Sequence, residues 1–118
     1  MTAQDIQQSW EAYTNAWADI DPTKREQLVK MSVSDDIDFL NPLIAGRGKA
    51  ELIEAMTQFQ KQFPGAHFEL KTCIIHHDQL LSGWTLYGED GSALLAGHNY
   101  ARANAEGKLV YMSGFFAA

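Results

Sequence analysis

The shortage of basic residues, the single cysteine and the lack of a long apolar run each exclude a class of protein. Nine Lys and Arg residues stand against fifteen Asp and Glu residues, which gives a formal net charge of −6. Nucleic acids and anionic membrane surfaces attract basic patches, so we expect neither as a partner. Cys73 alone permits no internal disulfide and is typical of a reducing compartment. No segment has the length that a membrane span needs.

Length and composition predict one globular domain. The chain has 118 residues, of which 46% are apolar and 20% are charged, so a sizeable core can form and disorder is not expected. We therefore interpret residues 1–118 as a single domain. The first five residues have neither the basic start nor the apolar run of a signal peptide, so we expect a cytoplasmic protein.

Apolar residues at helical spacing predict three helices in the first half of the chain. They cover about residues 3–18, 22–31 and 49–63. Thr2 and Asp5 resemble a capping box at the first helix, and Asp21 with Pro22 predicts the start of the second. A short extended piece, residues 37–40, lies between the second and third helices, and residues 46–48 are interpreted as a loop.

After residue 65 the apolar pattern alternates and predicts a four-strand antiparallel meander. The strands cover about residues 68–75, 80–87, 93–103 and 108–116. Alternation places one set of side chains on a common face of the first of these strands: Phe68, Leu70, Thr72 and Ile74. Helices first and strands later predict an α+β fold, with three N-terminal helices packed on one face of a curved, mainly antiparallel sheet.

Short motifs in a fixed order connect these elements. They are Asn41-Pro42, Gly48, Phe63-Pro64-Gly65, the segment 83–88 (Gly-Trp-Thr-Leu-Tyr-Gly) and the turn 106–109 (Glu-Gly-Lys-Leu). This arrangement resembles the NTF2-like superfamily, and within it the SnoaL-like, polyketide-cyclase-type branch. The resemblance implies a cone-shaped α+β barrel in which the sheet and the first helix enclose an apolar cavity, usually in a homodimer.

Ketosteroid isomerase belongs to the same superfamily and uses a general base with an oxyanion hole. By resemblance, Asn41 takes the position of the base and Asn99 that of the oxyanion-hole acid. Trp10 lies near the position of the tyrosine, with Tyr13 one turn away. An amide cannot accept a proton at neutral pH, so the isomerase mechanism is not supported. Asn99 can still donate a hydrogen bond to a ligand oxygen, or it can simply bond to a neighbouring group.

His67 and Asp38 are the remaining candidates for acid–base chemistry. His67 begins a strand near the place where relatives have residues of the cavity mouth, and a histidine titrates near neutrality. Its alternative is an exposed residue at the start of a strand. Asp38 alternates with Phe39 and faces away from the cavity unless a bulge turns it inward. The cofactor-free isomerase, cyclase or dehydratase chemistry that the resemblance implies would use one of these two as proton carrier.

Aromatic and adaptable side chains predict the walls of the cavity. The expected ligand-binding residues are Tyr13, Trp17, Asn41, Met56, Phe59, Trp84, Met112 and Phe116. Their number suits a small apolar or ring-bearing ligand, whether or not a reaction follows. The plainer alternative is an ordinary core, because small barrels fill their interiors. In that case the protein would be a non-catalytic, homodimeric interaction module with a filled cavity.

His76-His77-Asp78 is interpreted as a hairpin turn and not as a metal site. Neighbouring residues of a strand point to opposite faces, and no further ligand lies nearby in the sequence. We expect neither a metal nor a cofactor. The expected partners are a small molecule and a second copy of the chain, which the apolar end at Gly114-Phe115-Phe116 also favours.

Overall fold

Three helices and six strands make up the chain in a computed structural model, which describes residues 1–117. The elements are α1 (Ala3–Asn15), α2 (Pro22–Ser32), β1 (Val33–Leu40), β2 (Ala45–Arg47), α3 (Lys49–Gln62), β3 (His67–His76), β4 (Gln79–Tyr87), β5 (Ala93–Ala103) and β6 (Leu109–Phe115). The predicted α+β class is confirmed. The helices do not form one N-terminal block, however, because β1 and β2 lie between α2 and α3.

Local capping signals place the first two helices as predicted. The Thr2 hydroxyl accepts a hydrogen bond from the Asp5 backbone N–H, and the Asp5 carboxylate accepts one from the Thr2 N–H. Asp21 caps α2 by accepting from the Lys24 N–H at 2.8 Å. The buried guanidinium of Arg25 donates to two carbonyl groups that follow α1. It thereby ties the end of α1 to α2.

The six strands form one sheet in the order β2-β1-β6-β5-β4-β3. The predicted meander of β3 to β6 is confirmed, and every pairing is antiparallel except that of β1 with β6. β1 begins at Val33, four residues before the predicted extended piece. β2 replaces the predicted loop at residues 46–48 and pairs with the end of β1. Four of the five pairings contain a register shift, and such shifts bend a sheet.

A bulge in β3 changes which side chains face inward. Leu70 pairs with Trp84 but Thr72 pairs with Gly83, so Lys71 is an extra residue in the strand. Leu70 therefore packs on the core, and after the bulge Cys73 does so. The prediction of one common face is wrong for Thr72 and for Ile74, whose side chain is 63% exposed. A single inserted residue reverses the alternation.

The helices pack on one face of the sheet, which we call the inner face. Its core combines fully buried side chains from every layer: Ile6, Trp10, Ile37, Leu52, Met56, Leu80, Leu109 and Met112. The Ser9 hydroxyl donates to the Gly107 carbonyl at 2.6 Å, which fixes α1 against the turn between β5 and β6. Within residues 1–117, no helix has both the length and the apolar character that a bilayer crossing requires.

Candidate functional site

A cavity of about 570 Å³ lies between α1, α3 and the inner face of the sheet. Its deeper wall contains three buried indoles: Trp10 on α1, Trp17 just after the end of α1, and Trp84 on β4. Its mouth is bordered by exposed residues, including Leu43 and Phe63. The volume falls in the range of about 300–1,000 Å³ that is usual for sites of small molecules.

Most of the expected ligand-binding residues line this cavity. They are Tyr13, Trp17, Asn41, Phe59, Trp84, Met112 and Phe116. Met56 does not, because α3 has two inward faces with different neighbours. Leu52 and Met56 are fully buried in the core, whereas Ala55 and Phe59 lie on the neighbouring stripe of the helix and reach the cavity.

The two expected proton carriers lie outside the cavity. His67 stacks on Tyr87 with ring centroids 5.8 Å apart, and its Nε2 is 3.5 Å from Glu69 Oε2. Since Phe68 points into the cavity, its neighbour must occupy the opposite, outer face of the sheet. The Asp38 carboxylate lies 3.6 Å from the Arg47 guanidinium. The register shift in the β1–β6 pairing does not turn Asp38 towards the cavity. Neither His67 nor Asp38 is therefore placed to act on a ligand bound there.

Asn99 lines the cavity and also makes an internal hydrogen bond. Its Oδ1 accepts from the indole Nε1 of Trp84 at 2.8 Å. This bond leaves the Nδ2 amide hydrogens to donate elsewhere. Gly97 has no Cβ. A Cβ there would lie 2.6 Å from Cζ2 of Trp84 and would clash with the indole, so the glycine leaves room for it. His98, the neighbour of Asn99 on β5, is exposed and does not line the cavity.

Asn41 shapes the rim of the cavity. Its Oδ1 accepts hydrogen bonds from the backbone N–H groups of Leu43 and Ile44, at 2.8 and 3.0 Å. The bonds close the turn between β1 and β2 and present Leu43 and Ile44 to the cavity. Both oxygen lone pairs are thereby used, which leaves the Nδ2 amide for contact with a ligand.

Trp10 and Tyr13 form a pair of donors on α1, with ring centroids 4.9 Å apart. Burial raises the pKa of the Tyr13 phenol, and the Trp17 indole opposes this shift to a smaller extent. Tyr13 therefore remains a neutral donor at physiological pH. The Trp10 Nε1 is buried and has no hydrogen-bond partner within residues 1–117. An unpaired buried N–H costs about 1–3 kcal/mol of stability.

Two carboxylates at the cavity mouth were missing from the expected site. Glu51 and Glu54 lie on α3 and line the cavity, and both are exposed. Helical spacing was the available signal, because residues three and four apart share a helix face: Glu51 stands four residues before Ala55 and three before Glu54. In the described part of the chain, no Lys, Arg or His side chain lines the cavity.

His76 is the last residue of β3, and His77 follows it in the hairpin turn to β4. The Nδ1 atoms of His76 and His77 are 3.1 Å apart, and both residues are exposed. Among residues 1–117, no group of three or more His, Cys, Asp or Glu side chains is arranged to hold a metal ion.

Comparison with solved structures identifies the fold. A candidate isomerase of the SnoaL-like family from Agrobacterium tumefaciens has a TM-score of 0.88 and 24% identity, over 98% of this chain and 99% of that one. An NTF2-like protein of unknown function from Exiguobacterium has a TM-score of 0.75 and 19% identity, over 92% and 98%. A candidate SnoaL-like polyketide cyclase from Jannaschia has a TM-score of 0.78 and 13% identity, over 96% and 85%.

No protein-family model matches the sequence, and no curated protein is significantly similar to it. The likeness to the solved structures thus lies at identities of 24% and below, where it establishes the fold alone. The predicted NTF2-like, SnoaL-like fold is confirmed.

The Trp84–Asn99 hydrogen bond is expected to hold the cavity wall together. In Asn99→Leu the buried indole N–H loses its acceptor, and in Trp84→Phe the amide oxygen loses its donor. We expect the double variant to be destabilised by about 1 kcal/mol less than the sum of the single variants. Urea unfolding measures the three free energies. Asn99→Asp, which keeps an oxygen acceptor, serves as the matched control, and simple additivity would contradict the coupling.

The raised pKa of Tyr13 predicts a loss of stability in alkali. The unfolded chain releases the phenol proton near the ordinary value of 10.0, whereas the folded chain retains it to higher pH. The free energy of unfolding should therefore be unaffected by this group below pH 10.0 and fall as the pH rises above it. Urea unfolding of the wild type and of Tyr13→Phe at neutral and alkaline pH tests this. The fall should be smaller in the variant, and an equal fall in both proteins would contradict it.

Proposed function

We propose that this chain is a cytoplasmic protein that binds a small, apolar, ring-bearing molecule in the cavity. The observation that carries the proposal is a cavity of about 570 Å³ among aromatic side chains that would otherwise form a packed core. Protein interiors pack densely and leave few voids larger than a water molecule. A space of this size is therefore better explained by an occupant than by imperfect packing.

The aromatic walls favour a flat ligand. Trp17 meets Phe59 edge to face, with ring centroids 5.5 Å apart, and Phe68 meets Trp84 in the same way at 5.1 Å. Perpendicular rings present both edges and faces to the space between them. A ring-bearing ligand can stack on one wall while its edge meets another.

A few polar groups would orient the ligand within these walls. Tyr13 offers a phenol hydrogen and Asn99 an amide N–H. Both are neutral donors, so they suit a carbonyl, ether or hydroxyl oxygen on the ligand. Small-molecule sites commonly combine such a small donor set with an apolar wall.

Cyclase or isomerase chemistry is a second candidate, supported by the descriptions of the SnoaL-like proteins from Agrobacterium and Jannaschia. Proton transfer needs a group that titrates near the operating pH and reaches the substrate. Among the described lining residues, only Glu51 and Glu54 are ordinary proton acceptors, and both lie at the exposed mouth. The interior part of the described lining has no carboxylate or imidazole, which favours binding over proton transfer.

We also propose that two copies associate through the outer face of the meander. This face exposes Ile74 (63%), Leu81 (47%) and Phe115 (61%). Leu81 lies between Ile74 on β3 and Tyr100 on β5, so the apolar surface crosses three strands. A two-fold axis places the same patch on both partners, and a contiguous apolar patch suits such self-association.

Filling the cavity should abolish binding. Ala55 lines the cavity on α3, whereas Ala50 lies exposed on the same helix and outside it. We expect a panel of neutral aromatic ketones to include a ligand for the wild type. At one hundred times its dissociation constant such a ligand adds about 2.7 kcal/mol, or a rise in melting temperature of roughly 10 °C.

Ala55→Phe should lose this response and Ala50→Phe should retain it, with far-UV circular dichroism verifying the fold of each. An equal response in both variants would place the binding site elsewhere. A flat response of the wild type across a broad panel would favour the filled, protein-binding alternative.

A charge on the outer face should separate the two copies. We expect the wild type to sediment as a dimer at micromolar concentration and Leu81→Lys to sediment as a monomer, because an unpaired ammonium group cannot be buried in an apolar interface. Met31 is 59% exposed on α2, away from the sheet, so Met31→Lys should remain dimeric. Analytical ultracentrifugation distinguishes these states. A wild-type monomer would refute the proposed dimer.

A further inference from the structure

We propose that the ligand is a ring-bearing amine, whose ammonium group lies at the cavity mouth against Glu51 and Glu54. This inference rests on the proposed function, since it names the class of molecule that the same cavity takes. It follows from the sign of the charges around the mouth, from the free acceptor positions of the two carboxylates and from the neutral donors in the interior.

The only ionised side chains that line the cavity in residues 1–117 are acidic. Glu51 and Glu54 line it, and no Lys, Arg or His does. The nearest basic residues in the sequence are engaged elsewhere: Arg47 lies 3.6 Å from Asp38, and Lys49 lies 2.8 Å from Asp35. The negative charge at the mouth is therefore not neutralised by an ion pair.

Each carboxylate accepts one hydrogen bond, through one of its two oxygens. Glu51 Oε1 accepts from the Arg47 backbone N–H at 3.2 Å, and Glu54 Oε1 accepts from Gln58 Nε2 at 2.9 Å. A carboxylate has two oxygens with several acceptor positions, so each keeps capacity for a further donor. Residues three apart, such as Glu51 and Glu54, are neighbours on a helix surface. One ammonium group has three N–H donors and can therefore donate to both carboxylates.

The interior complements the other end of such a molecule. Phe59 and Phe63 lie next to each other with ring centroids 5.6 Å apart, and both line the cavity. The negative faces of aromatic rings attract a cation and repel an anion. Within the cavity, the Nδ2 amide of Asn99 can donate to an uncharged oxygen or nitrogen of the ligand.

A ligand with a carboxylate or phosphate group is disfavoured by the same features. Its charge would meet two carboxylates and the faces of the rings, in a chain whose net charge is already −6. A neutral ligand would gain the apolar contacts without the attraction at the mouth. The expected order of affinity is therefore amine, then neutral molecule, then anion.

Three probes with one ring system separate charge from shape. They are 1-naphthylmethylamine, 1-naphthalenemethanol and 1-naphthoate, and their dissociation constants can be measured by isothermal titration calorimetry. Because exposed ion pairs contribute modestly, we expect the amine to bind roughly three- to ten-fold more tightly than the alcohol and the naphthoate to bind more weakly by a similar factor. High salt should reduce both differences, since it screens exposed charges.

Matched variants test whether the mouth is responsible. Glu51→Gln combined with Glu54→Gln should bring the amine and the alcohol to similar affinities. Glu26→Gln combined with Glu106→Gln removes the same charge from exposed residues outside the cavity and should preserve the order of affinity.

The outcomes separate this inference from the proposed function. Binding of the alcohol with no preference for the amine would overturn the inference and leave the ring-binding function in place. An equal loss of preference in both double variants would also overturn it, because net charge and not the mouth would then set the selectivity. Failure of all three probes to bind would count against the proposed function and the inference together.

Discussion

The parallel pairing of β1 with β6 is the constraint on which the cavity depends. It joins two strands far apart in the chain and is the one ladder that connects β1 and β2 to the meander in the described sheet. The register sets Phe39 beside Met112, so both rise from the inner face into the cavity. α3 follows directly from β2, so its position over the sheet depends on this pairing. The aromatic wall from the meander and the wall from α3 face each other for this reason.

Signals within a few residues of each other were enough to predict most of the elements. The Thr2–Asp5 capping box, the Asp21–Pro22 helix start and the alternation of β4 to β6 all act locally, and each element is present. The first half of β1 and all of β2 were missed because their strand character comes from pairing with distant residues. The polar segment 34–36 carries no apolar alternation that would predict a strand. The extra residue Lys71 is equally invisible, since a bulge is defined by the partner strand.

The candidate site was predictable in its walls and not in its chemistry. Aromatic positions at regular spacing pointed inward because burial of their large apolar area dominates the choice of face. His67 and Asp38 each stand beside a phenylalanine that takes the inward position, so strand alternation places both side chains on the outer face. Glu51 and Glu54 were overlooked for the converse reason. A charged residue on a helix is usually interpreted as solvated, and only the fold brings this face of α3 to a cavity.

A small domain that keeps both a cavity and an unpaired buried donor gives up stability that a filled core would retain. Domains of this size are stable by only about 5–15 kcal/mol, and one unsatisfied buried N–H costs about 1–3 kcal/mol of it. Trp10 carries such a donor next to a space of about 570 Å³, although a phenylalanine there would bury its ring without that cost. Local departures from good packing that nothing else in the structure explains are expected at functional sites. In the proposed mode of binding, the neutral donors of Tyr13 and Asn99 and the carboxylates at the mouth contact opposite ends of one ligand.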